Sequence, residues 1–85
     1  MRQEPDFFGD AELSLVYIAR KLKDALRLEK YLTDSGIDYL VEPDHYTGGV
    51  LFRTERIGAF FYVAPDAEES IRELMLKGGF QPHQI

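Results

Sequence analysis

Tyr17-Ile18-Ala19 leads into a charged, periodic stretch that ends in Gly36-Ile37, and Tyr62-Val63-Ala64 leads into a second one that ends in Gly79-Phe80. Each copy reads as a strand, a helix and the start of another strand. In the first copy Leu13, Leu15 and Tyr17 alternate with Ser14, Val16 and Ile18, so both faces are largely apolar, as expected of a central strand. From Leu22 the period lengthens. Leu22, Ala25, Leu26, Leu28 and Leu32 recur at helical spacing, the stripe of a helix laid on a sheet. Gly36 suits the left-handed position after a last turn. Asp38 to Glu42 predicts a short strand with acidic ends, and Pro43 closes it, as befits a sheet edge.

The second copy follows a loop. Asp44, Thr47, Gly48 and Gly49 carry turn chemistry, and Val50-Leu51-Phe52 reads as a brief extra strand that a turn near Thr54 and Glu55 pairs with the next one. Ala59 to Ala64 is then the second central strand. Asp66 and Glu69 have the spacing of a capping box, Ala67, Ile71, Leu74 and Met75 form the inward stripe, and Gly78-Gly79 stops the helix. The tail from Gln81 to Ile85 allows only a short edge strand, because Pro82 lacks a backbone donor. Before both copies, Met1 to Ala11 holds Glu4, Asp6 and Asp10 with Pro5 and Gly9 and shows no periodicity, which predicts a mobile acidic arm over 1–11. Its Phe7 and Phe8 either fold back on the domain or dock a partner. Residues 12–85 then form one domain. A strand–helix–strand unit in duplicate predicts an α+β, ferredoxin-like two-layer sandwich, an antiparallel sheet with both helices on one face and the first and third strands central.

At 85 residues the chain makes one domain, and a domain of that size buries only roughly 60–65% of its unfolded surface, so association with a second copy would add stability. It contains no Cys, which excludes disulfides, thiolate metal sites and a cysteine nucleophile and suits a reducing cytoplasm. The apolar runs Leu15 to Ala19 and Ala59 to Ala64 are far short of the roughly 20 residues of a membrane span, and the first residues lack the apolar core of a secretion signal. A formal net charge of −5 opposes binding to phosphate backbones and anionic membranes.

Catalytic chemistry finds little support. His45 and His83 show no ligand spacing, Gly48-Gly49 and Gly78-Gly79 are isolated pairs, and no base accompanies the loop hydroxyls, so neither an enzyme, a metal site nor a bound cofactor is expected. Glu29 borders the apolar stripe and would be an acid–base candidate if buried; the competing reading is a packed stem with its carboxylate at water or a cation. The first helix opens on Arg20, Lys21 and Lys23, although a helix N-terminus disfavours positive charge. A bound phosphate or carboxylate would compensate, as would splaying into water or pairing with Glu68 and Glu69 of the other half. If Val16, Ile18, Phe61 and Val63 face the helices, strict alternation turns Leu15, Tyr17, Phe60 and Tyr62 to the opposite face. That aromatic patch would be covered by the arm with Phe7 and Phe8, by a second subunit, or by stacked bases. The last option follows RNA-recognition motifs: Val16-Tyr17-Ile18 is similar to their shorter signature strand. Arg56 to Val63 is a poor match to the longer one, with Ile57 in place of Gly and with Gly58 and Val63 in place of aromatics. Together with the acidic balance, this argues against nucleic acid.

Between Leu15 and Leu76 the chain resembles a family of small prokaryotic proteins of unknown function described as signal-transducing, related in fold to the nitrogen-regulatory PII proteins. The resemblance rests on Tyr17-Ile18-Ala19, Ala25-Leu26-Arg27-Leu28 with Leu32, Ser35-Gly36-Ile37, Gly48-Gly49, and Val63-Ala64-Pro65-Asp66-Ala67-Glu68. It implies a PII-like fold and no catalytic residues. In PII proteins the long loop between the second and third strands contacts targets and helps hold a nucleotide. Its counterpart here would be Pro43 to Ile57, with His45, Tyr46, Arg53 and Arg56 as candidate partner residues; the basic nucleotide-binding residues of PII proteins have no clear match. The expectation is a cytoplasmic, non-enzymatic interaction or regulatory module that forms a homodimer, or binds another protein, through Leu15, Tyr17, Phe60 and Tyr62. The alternative is a small-ligand sensor that holds an anion at Arg20, Lys21 and Lys23 or in the 43–57 loop.

Overall fold

The computed structural model describes residues 1–48 and 54–83. Strand β1 (Ser14–Ala19) leads into helix α1 (Leu22–Asp34), then strands β2 (Leu40–Gly48) and β3 (Thr54–Val63) form a hairpin ladder, and helix α2 (Glu68–Lys77) follows a single 3₁₀ turn at Pro65–Ala67. The sheet has three strands in the order β1-β3-β2, all antiparallel, so the chain is α+β with β3 in the centre. One core lies between sheet and helices: Val16, Phe61, Val63, Tyr39 and Val41 from the sheet side meet Ala25, Leu28 and Leu32 of α1, Ile71 and Met75 of α2, and Phe80 of the tail.

Four expectations are revised. Proline does not end β2. Pro43 pairs opposite Ala59 inside a ladder that continues to Gly48, because on an edge strand its missing N–H can point away from β3 at no cost to the ladder. Residues 44–48 and 54–57 are therefore strand, Thr54 and Glu55 included, where a loop and a turn were expected. Val50-Leu51-Phe52, the expected extra strand, lies outside the described residues. Leu22 and Leu26 are not inward but exposed, the buried stripe being Ala25, Leu28 and Leu32. Nor does the capping box form: the 3₁₀ turn takes up Asp66, α2 starts at Glu68 after Ala67, and no side chain caps it.

The fourth revision concerns β1. Ser14 pairs with Val63 and Leu15 with Tyr62, but the next pair is Tyr17 with Phe61, so Val16 is the extra residue of a β-bulge. Beyond it every side chain changes face. The carbonyls freed at the bulge are used: that of Leu15 accepts from Arg72 Nη2 at 3.0 Å, and that of Val16 accepts from the His83 amide at 2.7 Å. Arg72 also donates to the His83 carbonyl at 2.5 Å and to Glu68 at 2.8 Å, so one guanidinium joins α2, the bulge and the tail. At the other edge the first residues meet the segment that leads into β2. Arg2 bridges Tyr39 in parallel, with the Gln3 amide donating to the Tyr39 carbonyl at 2.8 Å and the Tyr39 amide to the Met1 carbonyl at 3.2 Å.

Candidate functional site

Register decides what the sheet offers on the face away from the core. Leu15 opposes Tyr62, Ile18 opposes Phe60, Leu40 opposes Tyr62 and Glu42 opposes Phe60, so these side chains share the far face, with Asp44 continuing the row along β2. Tyr17 is not among them. The bulge turns it toward the helices, where its ring lies edge-on to Phe61 at 6.1 Å and to Phe80 at 6.2 Å. Burial, then the Asp24 carboxylate, raise its phenol above the ordinary value, partly offset by Arg27. Ile18 takes the expected place of Tyr17. The far-face patch is also less open than alternation implies, since Leu40 is 7% and Phe60 8% exposed, with Leu15, Ile18 and Tyr62 half-buried. Leu40 and Phe60 are buried but are not part of the main core. Acidic side chains flank the patch: burial first, then Asp44 and Glu42, raise the Tyr62 phenol.

The two phenylalanines of the arm do not line this patch. Phe7 and Phe8, edge to face at 5.1 Å, border a cavity of about 250 Å³ with Ile37, Ala64 and Ile71, at the helix layer. The outer edge of β2 is guarded as well. Backbone groups of alternate residues point outward along an edge strand. At Tyr39 they are taken by Met1 and Gln3, Pro43 has no donor, and the His45 amide donates to the Asp44 carboxylate at 2.8 Å. A further strand would find few donors there.

The first-helix cations divide. Arg20 and Lys21 line a cleft of about 410 Å³ between the start of α1 and the β2–β3 hairpin, together with Arg2 and Glu29. Lys23 is exposed on the outer side of α1. Lys21 is the N-cap residue and gives the helix no side-chain cap. Glu29 is not buried without a partner; its carboxylate lies 3.5 Å from the Arg2 guanidinium. Of the remaining cations of α1, Arg27 lies 3.8 Å from Asp24 and 5.3 Å above the Phe80 ring, and Lys30 pairs with Asp34 at 2.8 Å, a contact that raises the Lys30 ammonium.

In the 43–57 segment His45 and Arg56 are exposed, His45 standing opposite Ile57 and Arg56 opposite Tyr46 across the ladder, and Arg53 lies outside the described residues. No group of His, Asp or Glu among the described residues has the arrangement of a metal site. No helix among the described residues is long and apolar enough to cross a membrane. The Arg72 staple and the bulge at Val16 had no signal in the sequence, since one is a contact across 57 positions and the other a change of register. Comparison of the chain with protein-family models, with curated proteins and with solved structures gives no match.

Proposed function

We propose that this chain is a non-enzymatic, cytoplasmic interaction or regulatory module, signal-transducing in the sense its family resemblance implies, on a ferredoxin-like frame in which the tail at His83 stands where a fourth strand would lie. It self-associates through the far face of the sheet. The observation that carries this reading is the row of half-buried apolar side chains Leu15, Ile18 and Tyr62, beside the buried Leu40 and Phe60, on the sheet face away from the helices. Apolar surface of this kind in a small domain marks a partner site. The guarded edge of β2, together with the tail amide of His83 that takes the Val16 carbonyl on the β1 edge, disfavours pairing copies by extending the sheet. Stacked bases are the weaker occupant. With Tyr17 turned inward, β1 has no ring to offer them, and Glu42 and Asp44 would repel phosphates.

Tyr62→Glu places a carboxylate in this half-buried row and should shift the protein to monomer in analytical ultracentrifugation, while Lys23→Glu, outside the patch, should leave association unchanged. A wild type that is monomeric at high micromolar concentration would overturn the reading.

A further inference from the structure

The first residues of the chain lie on a seat with a backbone part and an apolar part. At the backbone part Arg2 bridges Tyr39 in parallel, the Gln3 amide donating to the Tyr39 carbonyl at 2.8 Å and the Tyr39 amide to the Met1 carbonyl at 3.2 Å. At the apolar part the 3₁₀ turn of Pro5–Phe8 brings Phe7 and Phe8 to Ile37, Ala64, Ala67 and Ile71, around a cavity of about 250 Å³. Main-chain pairing beside a pocket for side chains is how a sheet edge takes an extended peptide.

The arm fits this seat poorly. None of residues 1–12 is buried, and Phe7 is 54% exposed. The cavity beside the two rings is left open, so their contacts with its wall are incomplete. Charge is mismatched as well. Glu29 and Asp38 border the seat and take partners from the arm, the Arg2 guanidinium at 3.5 Å and the Gln3 side-chain amide at 3.1 Å, yet the arm sets Glu4, Asp6 and Asp10 against that one arginine. Exposed polar contacts of this kind hold weakly, and a segment with little burial opens at low free energy.

We infer that the arm is a displaceable strap over a peptide-docking seat. The partner is an extended, basic segment of another protein that pairs with Tyr39 as Arg2 and Gln3 do, sets a cation against Glu29 and places a bulky aromatic ring in the cavity. The arm holds the seat because its tether keeps it at high local concentration, and a better-matched segment replaces it. The contacts that guard the start of β2 thus mark where a strand is accepted. The seat lies at that edge and at the helix layer, away from the far-face row, so the inference is independent of self-association.

Fluorescence anisotropy with labelled, N-acetylated peptides tests this. One peptide has the sequence of residues 1–11, and the other has the same sequence with Glu4→Lys and Phe8→Trp. The receptor is the whole chain, either wild type or carrying Phe7→Ser and Phe8→Ser, which unseat the arm without touching a buried position. The substituted peptide should bind the unseated variant about tenfold more tightly than the wild type, where the arm leaves only a fraction of seats open. It should also bind the variant about tenfold more tightly than the native arm peptide, through its larger ring and its added cation. Glu29→Lys in the variant should weaken it about fivefold, and adding Arg2→Glu to the peptide should recover that loss. Ala67→Leu, which fills the cavity, should abolish binding. No binding to the unseated variant, or equal binding to wild type and variant, would overturn the strap. Equal affinity of the two peptides would assign the seat to the arm itself, in its own chain or in a second copy, and would overturn the partner. A charge exchange without recovery would overturn the pairing at Tyr39, and that comparison decides the matter even if Ala67→Leu does not fold.

Discussion

Gly78 and Gly79 stand side by side for different reasons. Gly79 has φ of 84°, the left-handed backbone that ends α2. Gly78 has an ordinary φ of −84°; what it needs is space, because a Cβ there would lie 2.5 Å from Cζ of Tyr31. That ring cannot move aside cheaply. Its hydroxyl donates to the Leu74 carbonyl at 2.8 Å and its face tilts against Phe80 at 5.4 Å. Gly78→Ala should therefore cost about 1–3 kcal/mol as overpacking. Placing it on a Tyr31→Leu background should recover most of that loss, whereas the cost of Gly79→Ala should be the same in both backgrounds. Chemical denaturation of the four-variant cycle measures this, and a Gly78→Ala cost that ignores Tyr31 would show that backbone freedom is what matters. Composition reads both glycines as one helix stop. Only the approach of Tyr31, 47 positions from Gly78 in the chain, separates their roles.

Elements were legible where periodicity is local, and misplaced where a distant contact intervenes. The duplicated strand–helix pattern locates β1, α1, β3 and α2, and Gly36, with φ of 74°, ends α1 as expected. What one sequence does not carry is the bulge in β1, which reverses the faces of Tyr17 and Ile18 and so replaces one of the four residues of the expected patch. The bulge leans on Arg72, a residue of α2 that meets Leu15 and His83 only in the fold. Arg72→Ala should cost about 2 kcal/mol, charged hydrogen bonds being among the stronger ones, with a fall in Tm of roughly 8–16 °C. The largest changes in amide shift should fall at Leu15 to Tyr17; a loss no larger than that of an ordinary surface substitution would show that the bulge holds without it. Glu68, which anchors the same guanidinium, adds a pH dependence. A hydrogen bond from Ser14, then that from Arg72, hold its carboxyl below the ordinary value of 4.5. The folded state therefore favours the carboxylate, and this stabilisation is present above pH 4.5 and lost as pH falls through the lower folded value. Thermal melts of wild type and Glu68→Gln should differ most near neutrality and converge in acid, modestly because the side chain is partly exposed.

At the scale of the molecule, charge and apolar surface oppose each other, and that opposition makes self-association testable without knowing a partner. The chain carries a net charge of −5, and the far-face row is bordered on β2 by Glu42 and Asp44. Two copies meeting there bring like charges together while burying the half-buried Leu15, Ile18 and Tyr62. Screening lengths shrink from about 10 Å at 0.1 M salt to about 3 Å at 1 M, so salt removes the repulsion and leaves the apolar gain. Sedimentation velocity should show dimerisation tightening as NaCl rises from about 50 to 500 mM, the opposite of a nucleic-acid interface, which loses counterion-driven affinity over that range. Salt also strengthens apolar association in general, so the decisive comparison is the double variant Glu42→Gln, Asp44→Asn. With the repulsive pair removed, it should dimerise at low salt as tightly as the wild type does at high salt and show a much flatter dependence. A double variant with the wild-type slope would mean that the far face is not where the copies meet, and the exposed Leu22, Leu26 and Ile57 on the helix side would become the surface to test.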